Sequence, residues 1–144
     1  MNLELLLLKK TCQPCVNNHP LILAVDDDED NLLLLREVIE PMGCSLLSAT
    51  NGKAALLLAQ DCQPDLILLD VMLPDFNGIE VVKRLRHNPL TQKIPIVALT
   101  ALASSEDRER LLLAGCNDYI SKPYMLDDLE EVINRYLSLT SSVA

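Results

Sequence analysis

Aromatic residues are nearly missing from this chain, which has no tryptophan, one phenylalanine and three tyrosines in 144 residues. Hydrophobic residues still make up 49% of it, so the core has to be aliphatic, built mainly from Leu, Ile and Val. Basic residues are scarce too, 12 against 21 acidic, for a formal charge of −9. That balance argues against nucleic-acid binding through a general basic surface and fits partners that are proteins or metal ions. Four glycines form neither G-x-x-x-x-G-K-[ST] nor G-x-G-x-x-G, which sets aside the usual nucleotide-binding loops. Long apolar runs are absent as well. The opening Met1 to Lys10 holds only four uninterrupted leucines, and its lysines follow them, so neither a signal peptide nor a membrane span is expected. A short amphipathic helix packed on the domain or on a partner is the expected reading.

The five cysteines (Cys12, Cys15, Cys44, Cys62 and Cys116) are odd in number and scattered. Without a secretory signal they predict reduced thiols in a cytoplasmic protein. Cys12-Gln13-Pro14-Cys15 is a lone C-x-x-C whose only nearby histidine is His19. Zinc would require a second pair, so a loop with two incidental thiols is expected.

What the chain does have is a regular alternation. Leu21-Ile22-Leu23-Ala24-Val25, Leu66-Ile67-Leu68-Leu69 and Ile96-Val97-Ala98-Leu99 are unbroken apolar runs, as strands buried on both faces of a parallel sheet read. Strands are predicted at 21–25, 44–49, 65–70, 95–100 and 118–121. Helices are predicted at about 30–40, from Asn51-Gly52 to about Asp61, from Gly78 to about Arg86, and at about 105–114 and 126–138. Asp30 is the expected cap of the first helix, and Gly115 of the fourth. The result is one doubly wound α/β domain at 20–139, with an N-terminal extension at 1–19 and a tail at 140–144.

The chemistry lies where strands end. Asp26, Asp27, Asp28, Glu29 and Asp30 are consecutive carboxylates after the first strand; crowded like charges raise one another's pKa, and a bound cation relieves this. Magnesium favours carboxylate oxygens, carbonyls and water. Taken alone the run could equally be a solvated acidic loop. Asp70 changes this, since a carboxylate at a buried strand end is expensive unless paired, and a carboxylate can attack phosphorus to give an acyl phosphate. Such attack needs its negative charge offset. Lys122 supplies a cation and Thr100 a hydroxyl donor, each at the end of another strand.

The segments Val25-Asp26-Asp27-Asp28, Asp70-Val71-Met72-Leu73-Pro74-Asp75-Phe76-Asn77-Gly78, Ala98-Leu99-Thr100-Ala101 and Tyr119-Ile120-Ser121-Lys122-Pro123 together resemble the receiver domain of two-component response regulators. The resemblance covers about residues 20–139 and is closest to the single-domain, chemotaxis-regulator type. It implies a flavodoxin-like, five-stranded parallel sheet of order 2-1-3-4-5 with five flanking helices. Asp70 is then the phosphoacceptor. Asp27, Asp70 and the Met72 main-chain carbonyl bind Mg2+, and Asp26 binds it through water. Lys122 pairs with the phosphoryl group, the Lys122–Pro123 bond is cis, and Thr100 and Tyr119 form the switch pair. At the rim, Met72 and Leu102 are apolar where some relatives carry groups that orient water, which implies a long-lived phosphoryl group. The implied partners are a histidine kinase or histidine phosphotransfer protein and a downstream protein meeting the helix 4–strand 5–helix 5 face. No nucleic acid, membrane or enzymatic activity beyond its own phosphorylation and dephosphorylation is implied. A phosphatase of the haloacid-dehalogenase type would want an acid two residues after the nucleophile, where Met72 stands.

Overall fold

The computed structural model describes residues 19–101 and 104–137. Five strands are present: β1 (Leu21–Val25), β2 (Ser45–Ala49), β3 (Leu66–Asp70), β4 (Ile96–Thr100) and β5 (Asp118–Ser121). The helices are α1 (Glu29–Ile39), α2 (Gly52–Cys62), α3 (Gly78–His87), α4 (Ser105–Ala114) and α5 (Leu126–Leu137), and a 3-10 turn, Glu40–Met42, extends α1. All strand pairs are parallel in the order β2-β1-β3-β4-β5, so fold and strand order are those the resemblance implies.

Successive strand side chains point to opposite faces. Leu23, Val25, Ile67, Leu69, Ile96 and Ala98 meet α2, α3 and α4 through Ala55, Ala59, Val81, Val82, Leu85 and Leu111. Ile22, Ala24, Leu66, Leu68, Val97 and Leu99 meet α1 and α5 through Leu32, Leu35, Ile39, Leu129, Val132 and Ile133. Only the three central strands are buried at every position, which is why they alone carry unbroken apolar runs; edge strand β2 exposes Ser45 and Ser48. Each fully buried Leu or Ile contributes roughly 1.5–3 kcal/mol.

Helix starts are set by side-chain caps. The cap of α1 is Asp28, whose carboxylate accepts the Asp30 N–H at 2.9 Å. The expectation of Asp30 is thus displaced by two residues, because helical geometry begins at Glu29. Asn51, Asn77 and Ser104 cap α2, α3 and α4, and Gly115, at φ 126°, closes α4. The Arg86 guanidinium then ties the end of α3 to the sheet. It donates to the carbonyls of Gly115, Gln92 and Ile94 and to Asn117 Oδ1 at 2.8–3.0 Å. Cys44 and Cys116 are buried free thiols. Cys62 is disulfide-bonded, so the expectation of reduced thiols throughout fails at that position. The Cys12–Cys15 pair, the 1–19 extension up to residue 18, and the tail lie outside the described residues.

Gly78 opens α3 where the chain returns to β3. A Cβ there would stand 2.5 Å from the Val71 Cα and 2.9 Å from its carbonyl oxygen. Both are backbone atoms that cannot turn aside, so Gly78→Ala should lower unfolding stability by about 1–3 kcal/mol, measured by urea denaturation.

Candidate functional site

Parallel strands share a direction, so the carboxyl ends of β1, β3, β4 and β5 meet at one edge of the sheet. The register sets their depth. Val25 is level with Leu69, Asp70 with Leu99, and Thr100 with Ser121. Asp26 therefore follows the end of β1, Asp70 closes β3, and Lys122 follows β5.

At that edge one carboxylate oxygen from each of Asp26, Asp27 and Asp70 lies within 4.8 Å of the others. Asp26 is 1% and Asp70 6% exposed, whereas Asp27 faces solvent. Both Asp70 oxygens are held: Oδ1 accepts the Met72 backbone N–H at 3.0 Å, and Oδ2 accepts Lys122 Nζ at 3.2 Å. Lys122 Nζ also stands 3.6 Å from Asp26 Oδ2. Asp26 accepts from Asn31 Nδ2 at 3.2 Å and from the Asp28 N–H at 2.9 Å.

Burial pushes the Asp70 carboxyl above its ordinary value. The Met72 N–H and the Lys122 charge oppose that rise without cancelling it, and the Asp26 charge adds to it. Burial alone would lower Lys122, but the charges of Asp70 and Asp26 overcome it and hold the ammonium above its usual range. Two buried carboxylates and a third at the rim thus share one ammonium. The donor set is all oxygen and open to solvent on the Asp27 side, so a hard divalent ion fits it.

Thr100 is fully buried, and its carbonyl accepts the Lys122 N–H at 2.7 Å. Tyr119 is level with Ala98 rather than with Thr100. Because strand side chains alternate, Thr100, Ala98, Tyr119 and Ser121 all face α4. Met72 is 64% exposed, and Leu102 lies outside the described residues. The Lys122–Pro123 peptide bond is cis. Beside Lys122 opens a groove of about 500 Å³ lined by Asn31, Leu34, Pro123, Tyr124 and Leu126.

Three side chains enter this picture without having been singled out from the sequence. Asn31 reaches Asp26 from the first turn of α1; its signal is a polar residue five positions after the acid. Arg108, on α4, places its guanidinium 5.2 Å from the centre of the Tyr119 ring, and reaches Ser121 Oγ only at 3.5 Å. Its Nε is buried without a hydrogen-bond partner among the described residues. In the sequence it reads as one of several charges on an exposed helix. Asp75 sits in a Pro-Asp-Phe-Asn-Gly turn and reads as a turn former, but its carboxylate is bonded to the start of α2.

The Asp70 environment has a consequence for the metal-free protein. A carboxyl raised above its value of 3.8 contributes stability that is present below that pH and is lost as pH rises through the folded pKa. At neutral pH ionised Asp70 is therefore a net cost. In chelator, Asp70→Asn should melt about 2–5 °C above wild type at pH 7, with the gap closing once pH falls below 3.8. A variant melting below wild type at pH 7 would contradict this account.

Comparison with known proteins agrees with the geometry. The sequence matches the response regulator receiver domain over residues 22–134. The polar-differentiation response regulator DivK of Brucella anthropi is 41% identical over 116 residues, covering 81% of this chain and 94% of the relative. The receiver domain of the sensor histidine kinase PA1611 of Pseudomonas aeruginosa, solved with a magnesium ion coordinated in its active-site cleft, is 31% identical. It superposes with a TM-score of 0.77 over 83% of this chain and 98% of that one. The chemotaxis response regulator CheY4 of Vibrio cholerae is 28% identical, with a TM-score of 0.78 over 82% of this chain and 98% of that one. Strand order, the acids at the strand ends and these matches together make the chain a member of the response regulator receiver domain family.

Proposed function

We propose that this chain is a cytoplasmic switch that accepts a phosphoryl group on Asp70 from a phosphohistidine, using Mg2+, and signals by protein contact. The donor is a histidine kinase or a histidine phosphotransfer protein. The observation that carries this reading is the Asp70 carboxylate, buried at a strand end, fixed through both oxygens by Met72 and Lys122, and set beside Asp26 and Asp27. Among the described residues no helix is long and apolar enough to cross a membrane.

In the transfer, an Asp70 oxygen forms a bond to phosphorus as the donor's P–N bond breaks, and the electron pair of that bond returns to the imidazole. Asp27, Asp70 and the Met72 carbonyl would hold the ion, with Asp26 acting through water. When bound, Mg2+ offsets the negative charge of the phosphoryl oxygens. Lys122, already 3.2 Å from Asp70, follows that charge from carboxylate to phosphoryl oxygen. Thr100 donates its hydroxyl to the phosphoryl group, and Tyr119 turns inward behind it. That changes the face made by α4, β5 and α5, where a downstream partner reads the signal. The donor approaches over the groove beside Lys122, across the exposed Leu34, Met125 and Leu126. Residues 20–139 form the receiver, with 1–19 as an extension and 140–144 as a tail.

Acetyl phosphate with Mg2+ should add one phosphoryl group by mass, and Asp70→Asn should abolish the shift. Thr100→Ala should keep the shift yet lose phosphorylation-dependent partner binding. Labelling of the Asp70→Asn protein at serine or threonine would overturn the assignment.

The apolar, exposed Met72 side chain offers nothing to orient an attacking water, so the acyl phosphate should decay slowly. Met72→Asn should hasten loss of the phosphoryl mass several-fold. An unchanged or slower rate would show that this position does not set the lifetime.

A further inference from the structure

The loop between β3 and α3 is fastened at two places. At its base, Met72 and Asn77 form an antiparallel bridge, and the Gly78 N–H donates to the Val71 carbonyl at 2.8 Å. At its tip, Asp75 reaches a helix more than twenty residues earlier in the chain. Its Oδ1 accepts the Gly52 N–H at 2.7 Å, and its Oδ2 accepts the Lys53 N–H at 3.0 Å. Those are the first two N–H groups of α2, which have no partner inside their own helix. The third, on Ala54, donates to Asn51 Oδ1 at 2.8 Å. The start of α2 is thus completed partly by its own cap and partly by a carboxylate borrowed from the site loop, where the helix dipole favours negative charge.

The approach is close. A Cβ on Gly52 would stand 2.7 Å from Phe76 Cδ2, so glycine there lets the loop lie against the helix. Asp75 Oδ1 also accepts the Phe76 N–H at 2.9 Å. The Gly52 N–H, ahead of the Lys53 and Phe76 N–H groups, holds the Asp75 carboxyl below its ordinary range although it is exposed.

Met72 belongs to the base, three residues before the clamped tip. Its N–H fixes Asp70 Oδ1, and its carbonyl is the main-chain ligand of the proposed Mg2+ site, so the role assigned to Asp75 rests on that proposal. We infer that Asp75 is a positioning residue: by clamping the loop to α2 it sets where the Met72 carbonyl stands, and so tunes the affinity of the acidic site for Mg2+. Asp75 itself is not a ligand. A second consequence is that ion binding at Asp70 and order at the start of α2 are coupled through one carboxylate.

The test measures Mg2+ affinity by calorimetric titration of the unphosphorylated full chain in five forms: wild type, Asp27→Asn, Asp75→Ala, Asp75→Asn and Asn51→Ala. Asp75→Ala should weaken binding about tenfold, at the low end of what partners behind a ligand cost. At saturating Mg2+ its rate with acetyl phosphate should return to that of wild type. Asn51→Ala removes the other cap of α2 without touching the loop. It should lose stability like Asp75→Ala in urea denaturation but bind Mg2+ as wild type does. Asp75→Asn, a milder change that keeps one acceptor oxygen, should fall between wild type and Asp75→Ala. Wild-type affinity in Asp75→Ala beside weakened Asp27→Asn would overturn the role of Asp75 alone, as would equal weakening in Asn51→Ala. No Mg2+ binding by wild type, or undiminished binding by Asp27→Asn, would overturn the metal site and this inference with it.

Discussion

A single ammonium serves two buried carboxylates that arrive on different strands, with Lys122 Nζ 3.2 Å from Asp70 and 3.6 Å from Asp26. Asp27 brings a third negative charge to the same few ångströms, so one cation faces three anions. Interaction between such charges is strong where water is excluded. Among the described residues Lys122 alone is ion-paired with these acids, which leaves an excess of two negative charges. That shortfall is the constraint on which the rest of the design depends. A doubly charged ion held by these acids would offset it. The same shortfall keeps Lys122 cationic and within reach of any anion attached to Asp70.

The sheet makes this concentration of charge tolerable. β1 and β3 are buried along their whole length, and their apolar side chains on both faces fix the strand ends to a depth set by register. Asp70 and Asp26 cannot separate without unpacking those faces. The far side of the site is built differently. Where α4 meets β5, Arg108 leans on the Tyr119 ring; among the described residues it makes one long polar contact, and its buried Nε has no hydrogen-bond partner. An unsatisfied donor is a cost the fold carries there.

Much of this was legible in the sequence for a physical reason. The central strands announce themselves because burial on both faces leaves no polar position in the run, and Asp26, Asp70 and Thr100 stand out as polar residues where such runs end. Strand order came from the resemblance, since nothing in a run of leucines states its neighbours. The cap of α1 was misplaced because five consecutive carboxylates offer five candidates, and only the backbone shows that helical geometry starts at Glu29. Asp75 and Arg108 were invisible because their partners are far away in the chain: the first reaches Gly52 and Lys53, the second Tyr119 and Ser121. The disulfide at Cys62 likewise cannot be deduced from a scattered, odd set of cysteines.

The lack of tryptophan gives the three tyrosines an unplanned usefulness. Tyr119 lies under Arg108, Tyr124 is half-buried beside Lys122, and Tyr136 hydrogen-bonds to Asn117 and Asp118 at the foot of β5. Burial raises the Tyr124 phenol, the nearby ammonium opposes this, and Asp26 and Asp70 add to the rise. With no indole to mask them, the near-ultraviolet absorbance and circular dichroism of the native chain come chiefly from these phenols. The phenol of Tyr124, next to the acidic cleft, thus contributes to a spectrum in which no indole band overlaps it.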